Sequence, residues 1–308
     1  MSRAVAKRSG STTQPDSADC SLVADVSCQI GEAPLWHPDL ECLLFVDIAL
    51  GTVYAYDPKT NGCRTFSQGP VTGGMVLEEA RTVLLFQDGR ISRLFLDGRQ
   101  IELARGLCPG NDRFNDIIAD PEGRVFAGTI GGDGRLLRFD PDGTITEVLD
   151  GLGVPNGMGF SPDQRHMYFT DSLARRIYRF EYQRKSGAIS NCPTFAEVPK
   201  DDGVPDGMAV DSEGFVWSAI WFGGCVRRYA PDGSVDTEVH LPVRQTSAVA
   251  FAGAGQREIF VTTAASDVAD SMMPPHYDRR APRGGGLYAF RVERISGMPL
   301  FRDRIAFR

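Results

Sequence analysis

The chain has few of the side chains on which common hydrolase and metal centres depend. Among its 308 residues there are only four histidines, His37, His166, His240 and His276, and no two have the spacing of a helical metal motif. The GxSxG nucleophile elbow is absent, which argues against a Ser-His-Asp hydrolase. A Walker-type phosphate loop is absent too, because the glycines at 284–286 form a turn rather than a nucleotide site.

The seven cysteines lie far apart, contain no CxxC pair and leave at least one cysteine unpaired. Neither a disulfide framework nor a zinc-thiolate site is indicated, so we expect a cytoplasmic protein. No apolar stretch reaches the 18 residues of a membrane-spanning helix, and residues 1–19 are polar rather than an apolar signal core. We therefore predict a disordered polar tail at 1–19, followed by a single domain at 20–308.

The charge balance narrows the expected partners. The formal net charge is -7, and no basic stripe offsets it, which argues against nucleic acid or an anionic membrane as a partner. We expect a small-molecule substrate and a monomer or weak homo-oligomer.

Six segments of the chain repeat one short pattern. They are GEAPLWHP at 31–38, TGGMVLEE at 72–79, FNDIIADP at 114–121, PNGMGFSP at 155–162, PDGMAVDS at 205–212 and TSAVAFAG at 246–253. Each is followed by an apolar run typical of a strand, and the starts of these runs are 40, 42, 42, 49 and 43 residues apart. That spacing is typical of propeller blades.

A second run follows within each unit, alternates small or polar with apolar residues, and ends in most units at a turn such as Asp-Pro or Asp-Gly. The pattern predicts an all-β fold, a six-bladed β-propeller with four-stranded antiparallel blades around a central channel. Residues 20–30 are the predicted strand that closes the ring.

One register position of the repeat carries oxygen-bearing side chains in four blades. Counting six residues back from the Pro or Ser at positions 38, 121, 162 and 212 gives Glu32, Asn115, Asn156 and Asp206. Because blades repeat radially, these four should ring the mouth of the channel. The alternative is that Asn and Asp recur there only as turn residues, which explains each one alone better than it explains the set.

Two carboxylates and one or two amide oxygens form a hard donor set suited to Ca²⁺, Mg²⁺ or Mn²⁺. A cation held by so few protein groups keeps positions open for substrate and water. It would polarise a carbonyl and acidify water, so hydrolysis of an ester-like bond is the expected chemistry.

The segments at 31–38, 113–130, 155–163 and 204–233 resemble the gluconolactonase/regucalcin (senescence marker protein) family, and the resemblance runs from about 28 to 292. It implies a six-bladed propeller that hydrolyses a sugar lactone to an aldonic acid with one divalent cation. We take Ca²⁺ as the first choice of cation and Mg²⁺, Mn²⁺ or Zn²⁺ as alternatives.

Carried over residue by residue, the resemblance implies Glu32, Asn156 and Asp206 as metal ligands, with Asp206 also as general base. Arg113 and Asn115 would contact the substrate. In the implied mechanism the cation binds the lactone carbonyl oxygen, and water activated by the cation or by Asp206 attacks the carbonyl carbon. For Arg113 the alternative is an ion pair with Asp112 or Asp116.

The chain departs from the family pattern in two places. Residues 131–134 read GGDG where the family has a longer acidic loop with a substrate-binding Glu, so that contact is either missing or supplied by Asp133. Ile117 replaces a glycine of the family's NDG motif. Either difference could change which lactone fits.

Three alternatives stay open at this stage. A phosphotriesterase could use the same metal site, and a calcium-binding propeller could use it without catalysis. The irregular stretch at 266–286 is either a lid over the channel or a flexible surface connection.

Overall fold

A computed structural model describes residues 20–79, 81–266 and 270–307. The predicted tail at 1–19 lies outside the described residues. Within the described ranges no helix is both long enough and apolar enough to cross a membrane. The only helical segment described in those ranges is a single 3₁₀ turn, Asp270–Met272, so the rest of the architecture is built from strands.

In the described ranges, twenty-six strands form six sheets arranged as blades, antiparallel apart from the short strand β26, which confirms the predicted all-β, six-bladed propeller. Blade 1 contains β2 Gly31–His37, β3 Cys42–Asp47, β4 Thr52–Asp57 and β5 Gly62–Gln68. Blade 2 contains β6 Thr72–Glu78, β7 Val83–Gln87, β8 Arg90–Leu94 and β9 Gln100–Arg105. Blade 3 contains β10 Arg113–Ala119, β11 Val125–Ile130, β12 Gly134–Phe139 and β13 Ile145–Leu152.

The second half of the ring follows the same plan. Blade 4 contains β14 Pro155–Phe160, β15 His166–Asp171, β16 Arg176–Gln183, β17 Ala188–Ser190 and β18 Thr194–Glu197. Blade 5 contains β19 Val204–Val210, β20 Val216–Trp221, β21 Cys225–Tyr229 and β22 Val235–His240. Blade 6 contains β23 Thr246–Ala252, β24 Glu258–Thr263 and β25 Gly286–Phe290, and its outer strand is β1 Ser21–Asp25.

The two ends of the described chain close the ring. Strand β1 pairs antiparallel with β25, so the start of the domain completes the last blade, as predicted for residues 20–30. After blade 6 the chain crosses to blade 2, where β26 Arg302–Asp303 pairs in parallel with Leu77 and Glu78 of β6. A ring closed in this way leaves few free sheet edges.

The core lies between the blades rather than in one central cluster. Middle strands such as β3 and β20 are buried at every position because both of their faces pack against neighbouring sheets. Between blades 2 and 3, for example, the rings of Phe86, Phe114 and Phe139 meet edge to face at 5.2–6.0 Å. This packing fixes how the inner strands are oriented around the channel.

A β-bulge interrupts each inner strand near its first residues. The pairing between the first and second strands of each blade shifts register between Glu32 and Leu35, Thr72 and Gly74, Phe114 and Ile117, Asn156 and Met158, Pro205 and Met208, and Thr246 and Ala248. A bulge bends a strand and changes the direction of the side chains beside it. In this fold it recurs at the register position that the sequence repeat singles out.

Candidate metal and substrate site

The four predicted ring residues all lie at the bulged ends of inner strands, at the same end of the channel. Glu32, Asn115, Asn156 and Asp206 are each buried, at 5–9% exposure. Asn156 is hydrogen-bonded to Asp206, and the charge of Glu32 raises the pKa of Asp206. Asn115 is hydrogen-bonded to the carbonyl of Pro155, the residue before Asn156. The structure therefore brings the predicted residues together, while their roles as ligands and substrate contacts stay predictions.

The two ring carboxylates are close enough to repel each other. Burial raises the pKa of Glu32, and the negative charge of Asp116 raises it further. Burial also raises the pKa of Asp206, with Glu32 as the next largest cause and Asp116 after it. Glu32 Oε2 accepts a 2.9 Å hydrogen bond from the N–H of Ala33, which opposes the shift only in part. The channel therefore concentrates negative charge.

No basic side chain offsets this charge by direct contact. Among the described residues, no Lys, Arg or His nitrogen lies within 4.0 Å of a carboxylate oxygen of Glu32, Asp116 or Asp206. Buried carboxylates without a cationic partner are costly in a low-dielectric environment. A bound cation would remove that cost, so the donor set fits the predicted divalent ion.

Asn156 is held by its amide nitrogen, which leaves its amide oxygen available. Its Nδ2 donates to Asp206 Oδ1 and, at 3.2 Å, to Ser172 Oγ. Ser172 Oγ in turn donates to the carbonyl of Pro205 at 2.7 Å, so it ties blade 4 to the residue before Asp206. No donor in the described part of the chain bonds to Asn156 Oδ1. That arrangement suits an amide oxygen that ligates a cation.

Asn115 is held differently, because its amide oxygen is already used. Its Oδ1 accepts a 2.7 Å hydrogen bond from Arg113 Nη1, and its Nδ2 donates to the carbonyl of Pro155 at 2.8 Å. This difference between the two amides supports the division in which Asn156 binds the metal and Asn115 contacts the substrate. The sequence alone could not reveal this difference in hydrogen bonding between the two amides.

Arg113 is half-buried beside the ring. Burial lowers the pKa of its guanidinium, and the nearby charges of Glu32, Asp112 and Asp206 oppose that shift. Its Nη1 donates hydrogen bonds to Asn115 Oδ1 and, at 2.8 Å, to the carbonyl of Phe114. The alternative ion pair with Asp112 or Asp116 is not seen within 4.0 Å among the described side chains. Arg113 is thus a positively charged side chain that interacts electrostatically with Glu32 and Asp206 but makes no direct contact with a carboxylate.

The remaining two blades place no carboxylate or amide in the ring, for different reasons. At Gly73 of blade 2, a Cβ would lie 2.0 Å from the carbonyl oxygen of Phe114, so no side chain fits. At Ser247 of blade 6, the hydroxyl donates to the carbonyl of Gly31 at 2.5 Å and to Thr262 Oγ1 at 2.9 Å. Ser247 therefore fixes the backbone next to Glu32 rather than opening toward the channel.

Asp116 is a site residue that the ring register did not identify. It follows Asn115 inside the bulge, it is half-buried, and burial raises its pKa to about 6. Its Oδ1 accepts a 2.7 Å hydrogen bond from its neighbour Ile117. The feature that could have identified Asp116 is its place directly after a ring position in a bulged strand, because two successive residues of a bulge can face the same side of the sheet.

Two further aspartates hold the loops that lead into ring positions. Asp47 accepts hydrogen bonds from the N–H groups of Gln29 and Ile30 at 2.8 and 3.2 Å, just before Glu32. Asp171 does the same for Gly153 and Val154 at 2.9 and 3.0 Å, just before Asn156. Both end the second strand of their blades. They fix the approach of the chain to two of the three predicted ligands.

Asp133 lies apart from the ring residues. Its side chain is exposed in the β11–β12 turn, while its backbone carbonyl accepts a 2.9 Å hydrogen bond from Asn111 Nδ2. Among the described residues, no hydrogen bond joins Asp133 to Arg113 or Asn115. Its proposed substrate contact remains a prediction.

The irregular stretch at 266–286 lies partly outside the described residues, at 267–269. Its described part packs near the site end of the channel. Met272 is buried against Val204 and Trp221, and the ring of Tyr277 meets Phe222 edge to face at 4.9 Å. Arg175 Nη2 donates to the carbonyl of Met272 at 2.9 Å. The described part of this stretch is therefore packed against blade 5 and hydrogen-bonded to Arg175.

The donor set contains both carboxylates and amides. No three or more His, Cys, Asp and Glu side chains in the described ranges are grouped closely enough to hold a metal ion by themselves. Two carboxylates would thus need at least one amide, which is the combination of Glu32, Asp206 and Asn156. All seven cysteines are free, so they supply no disulfide to the fold.

Comparison with known proteins places these observations in a family context. A family model described as SMP-30/Gluconolactonase/LRE-like region matches residues 30–265. The pentonolactonase XacC of Haloferax volcanii is 42% identical over 287 residues, covering 92% of this chain and 97% of that protein.

Solved structures agree on the architecture. A luciferin-regenerating enzyme superposes with a TM-score of 0.84 at 23% identity, covering 94% of this chain and 100% of that one. A regucalcin from Agrobacterium tumefaciens, described as a calcium-binding protein, superposes with a TM-score of 0.80 at 22% identity, covering 96% and 98%. At these identities the two structures establish the fold alone.

Proposed function

The chain belongs to the SMP-30/gluconolactonase/LRE-like family of sugar lactonases, and on that premise we propose that it hydrolyses a sugar lactone to the open-chain aldonic acid with one divalent cation. The observation that carries the proposal is the ring at the channel mouth. Burial raises the pKa of both ring carboxylates, with the charge of Asp116 as the second cause for Glu32 and the charge of Glu32 as the second cause for Asp206. No cationic side chain contacts either of them, and they lie beside an amide, that of Asn156, whose oxygen is available.

Glu32, Asn156 and Asp206 would hold the cation through oxygen atoms. When bound, a divalent cation polarises a carbonyl oxygen and stabilises the negative charge that develops on it. Ca²⁺ is the first choice, because carboxylate and amide oxygens suit it and because the A. tumefaciens regucalcin of the same fold is a calcium-binding protein. Mg²⁺, Mn²⁺ and Zn²⁺ are the alternatives to test.

The side chains of the ring divide the work on the substrate. Arg113 and Asn115 donate hydrogen bonds to the sugar hydroxyls and position the ester carbonyl near Asp206. Asp206 accepts a proton from the attacking water as the water oxygen bonds to the carbonyl carbon, and the ring C–O bond then breaks as Asp206 returns that proton to the ring oxygen, which becomes a hydroxyl of the open-chain acid. Asp116 follows Asn115 in the chain, and its negative charge adds to that of the two ring carboxylates.

The first substrates to test are five-carbon sugar lactones. XacC acts as a pentonolactonase and is 42% identical to this chain across nearly all of both proteins. The short turn at 131–134, with Asp133 exposed, also leaves out the longer acidic loop of regucalcin-like proteins. We therefore expect pentonolactones to be hydrolysed with a higher kcat/KM than hexonolactones.

The test measures proton release from a panel of pentonolactones and hexonolactones. Protein is stripped with chelator and restored separately with Ca²⁺, Mg²⁺, Mn²⁺ or Zn²⁺. Asp206→Asn removes the base and one ligand charge, whereas Asp150→Asn changes an exposed aspartate on β13 and serves as the matched control. We expect cation-restored turnover in the parent protein and the control, and a loss of at least about 10²-fold in Asp206→Asn.

Two outcomes would point elsewhere. Hydrolysis of an organophosphate triester without lactone turnover would assign the site to phosphotriester chemistry. Tight binding of Ca²⁺ by the parent protein, lost in Asp206→Asn, with no turnover of any ester, would assign it to calcium binding alone.

A further inference from the structure

The channel continues past the ring as an apolar cavity of ≈160 Å³. Most of its walls come from residues 3 to 6 of the repeated segment in all six inner strands, beginning directly beyond the ring positions. Of the described residues that line it, only Asp116 and Gln256 have polar side chains. Asp116 is next to the ring, and Gln256 lies in the turn between β23 and β24 at the opposite end of the channel.

The lining is rich in methionine. Met75, Met158, Met208 and Met298 contribute to it, which is half of the eight methionines in the chain. Methionine side chains are flexible and polarizable, so they adapt to the shape of an apolar guest. Because nearly all of the side chains that line the cavity are apolar, we expect an apolar guest to be accommodated well.

The end of the cavity away from the ring is bounded in part by Met298–Phe301, which we name the strap. The strap is fixed on both sides. Before it, Gly297 donates to the carbonyl of Gln256 at 2.7 Å, and after it, Arg302 and Asp303 pair with β6. Between these anchors, Pro299 and Leu300 in the middle of the strap make no backbone hydrogen bond to any described residue.

A segment without backbone hydrogen bonds can be displaced at low cost. Leu300 is 47% exposed, so the strap also gains less from burial than the core strands do. The strap is thus the weakest wall of the cavity and the natural route into it. The ring side chains Glu32, Asn156 and Asp206 are not among its lining residues, so this route avoids the proposed metal.

We propose that this lower cavity is a second binding site, for one small apolar molecule of the size of a benzene ring or a five- to six-carbon chain, which enters beneath the strap. Apolar cavities of about 150 Å³ take up molecules of this size. The site is separate from the proposed lactone site and does not depend on it. The molecule bound here would share only Asp116 with the ring end of the channel.

The probe for the test is fluorobenzene, followed by ¹⁹F NMR on the full chain, both cation-stripped and cation-loaded. We expect saturable binding of one molecule per chain in both forms. Benzene should displace the probe, whereas 1,4-dioxane, a ring of similar size with two oxygens, should displace it less well, because the side chains that line the cavity are almost all apolar.

Two substitutions locate the binding. Ala250→Leu adds volume at a half-buried position that lines the cavity, and Ala188→Leu makes the same change on β17 of blade 4, away from the cavity. The first should weaken fluorobenzene binding by at least about tenfold, and the second should leave it unchanged. Melting curves of both variants establish that they are folded.

A third substitution tests the route. Phe301→Ala shortens a strap residue whose ring packs 6.0 Å from that of Phe160, and it should speed exchange of the probe. Absence of saturable binding, equal displacement by dioxane, or undiminished binding by folded Ala250→Leu would overturn the site. Unchanged exchange in Phe301→Ala would overturn the route beneath the strap.

Discussion

Asp303, which anchors the strap, should make the protein less stable as the pH rises. It is 2% exposed, and its Oδ2 has no hydrogen-bond partner in the described structure. Burial raises its pKa from 3.8 to about 7, with repulsion by Glu78 as the second cause, while Ile305 N–H and Arg93 oppose the shift. Glu79 adds a smaller repulsion. Arg93 itself is committed to Glu78, which it meets through two hydrogen bonds of 2.7 and 2.8 Å.

The direction of the change in stability with pH depends on whether the folded or the unfolded state binds the proton of Asp303 more tightly. The folded state keeps Asp303 protonated up to about pH 7, whereas the unfolded chain releases the proton near pH 3.8. Folding is therefore penalised increasingly as the pH rises from about 4 to 7, and the penalty then levels off. A difference of about three pKa units corresponds to about 4 kcal/mol at pH 8, of which about 1 kcal/mol is already present at pH 4.5.

Asp303→Asn removes this penalty and keeps the acceptor for the N–H of Ile305, which lies 3.2 Å from Oδ1. The gain in unfolding free energy should be about 3 kcal/mol larger at pH 8 than at pH 4.5. Denaturant unfolding of both proteins in chelator measures it, because the ring then contributes equally to each. Asp150→Asn, an exposed control, should show no such trend. A gain that does not grow with pH would refute the reasoning.

Four further changes have defined outcomes. Glu32→Gln should stabilise the chelated protein above neutral pH, because it removes a buried charge whose pKa is raised, yet abolish stabilisation by added cation in melting curves. Asp171→Ala should weaken cation affinity by about 10- to 100-fold in calorimetric titration, because it frees the loop before Asn156. Gly73→Ala should lower the melting temperature sharply, since its Cβ would meet Phe114 O at 2.0 Å. Ser172→Ala should weaken cation affinity less than Asp171→Ala does, because it leaves Asn156 bonded to Asp206.

The fold could be predicted from the sequence because the blades of a propeller appear in the sequence as a repeated pattern. Each blade must present an inner strand, a buried second strand and turns in the same order, so spacing and apolar pattern together predicted six blades and the closing strand β1. The ring positions followed from the same repeat, since equal register means equal depth in the channel. That reasoning placed Glu32, Asn115, Asn156 and Asp206 at one end of it.

The rest depended on geometry that a repeat does not encode. Asp116 faces the channel because a bulge turns two successive residues to one side, and no spacing rule marks it. Asp47 and Asp171 act through backbone N–H groups 17–18 residues earlier in the chain. The strap could not be predicted from the sequence for a different reason. Residues 298–301 belong to no blade, and they line the cavity only because the chain crosses the channel there.

The most direct test of the central claim is a titration of lactonase activity against cation. Stripped protein at known concentration receives increasing Ca²⁺, or whichever cation restores turnover, while hydrolysis of a pentonolactone is followed by proton release. One site formed by Glu32, Asn156 and Asp206 predicts that activity rises to a break at one cation per chain and that Glu32→Gln shows neither the break nor the turnover. Full activity in the stripped protein, or an unchanged titration in Glu32→Gln, would contradict the claim.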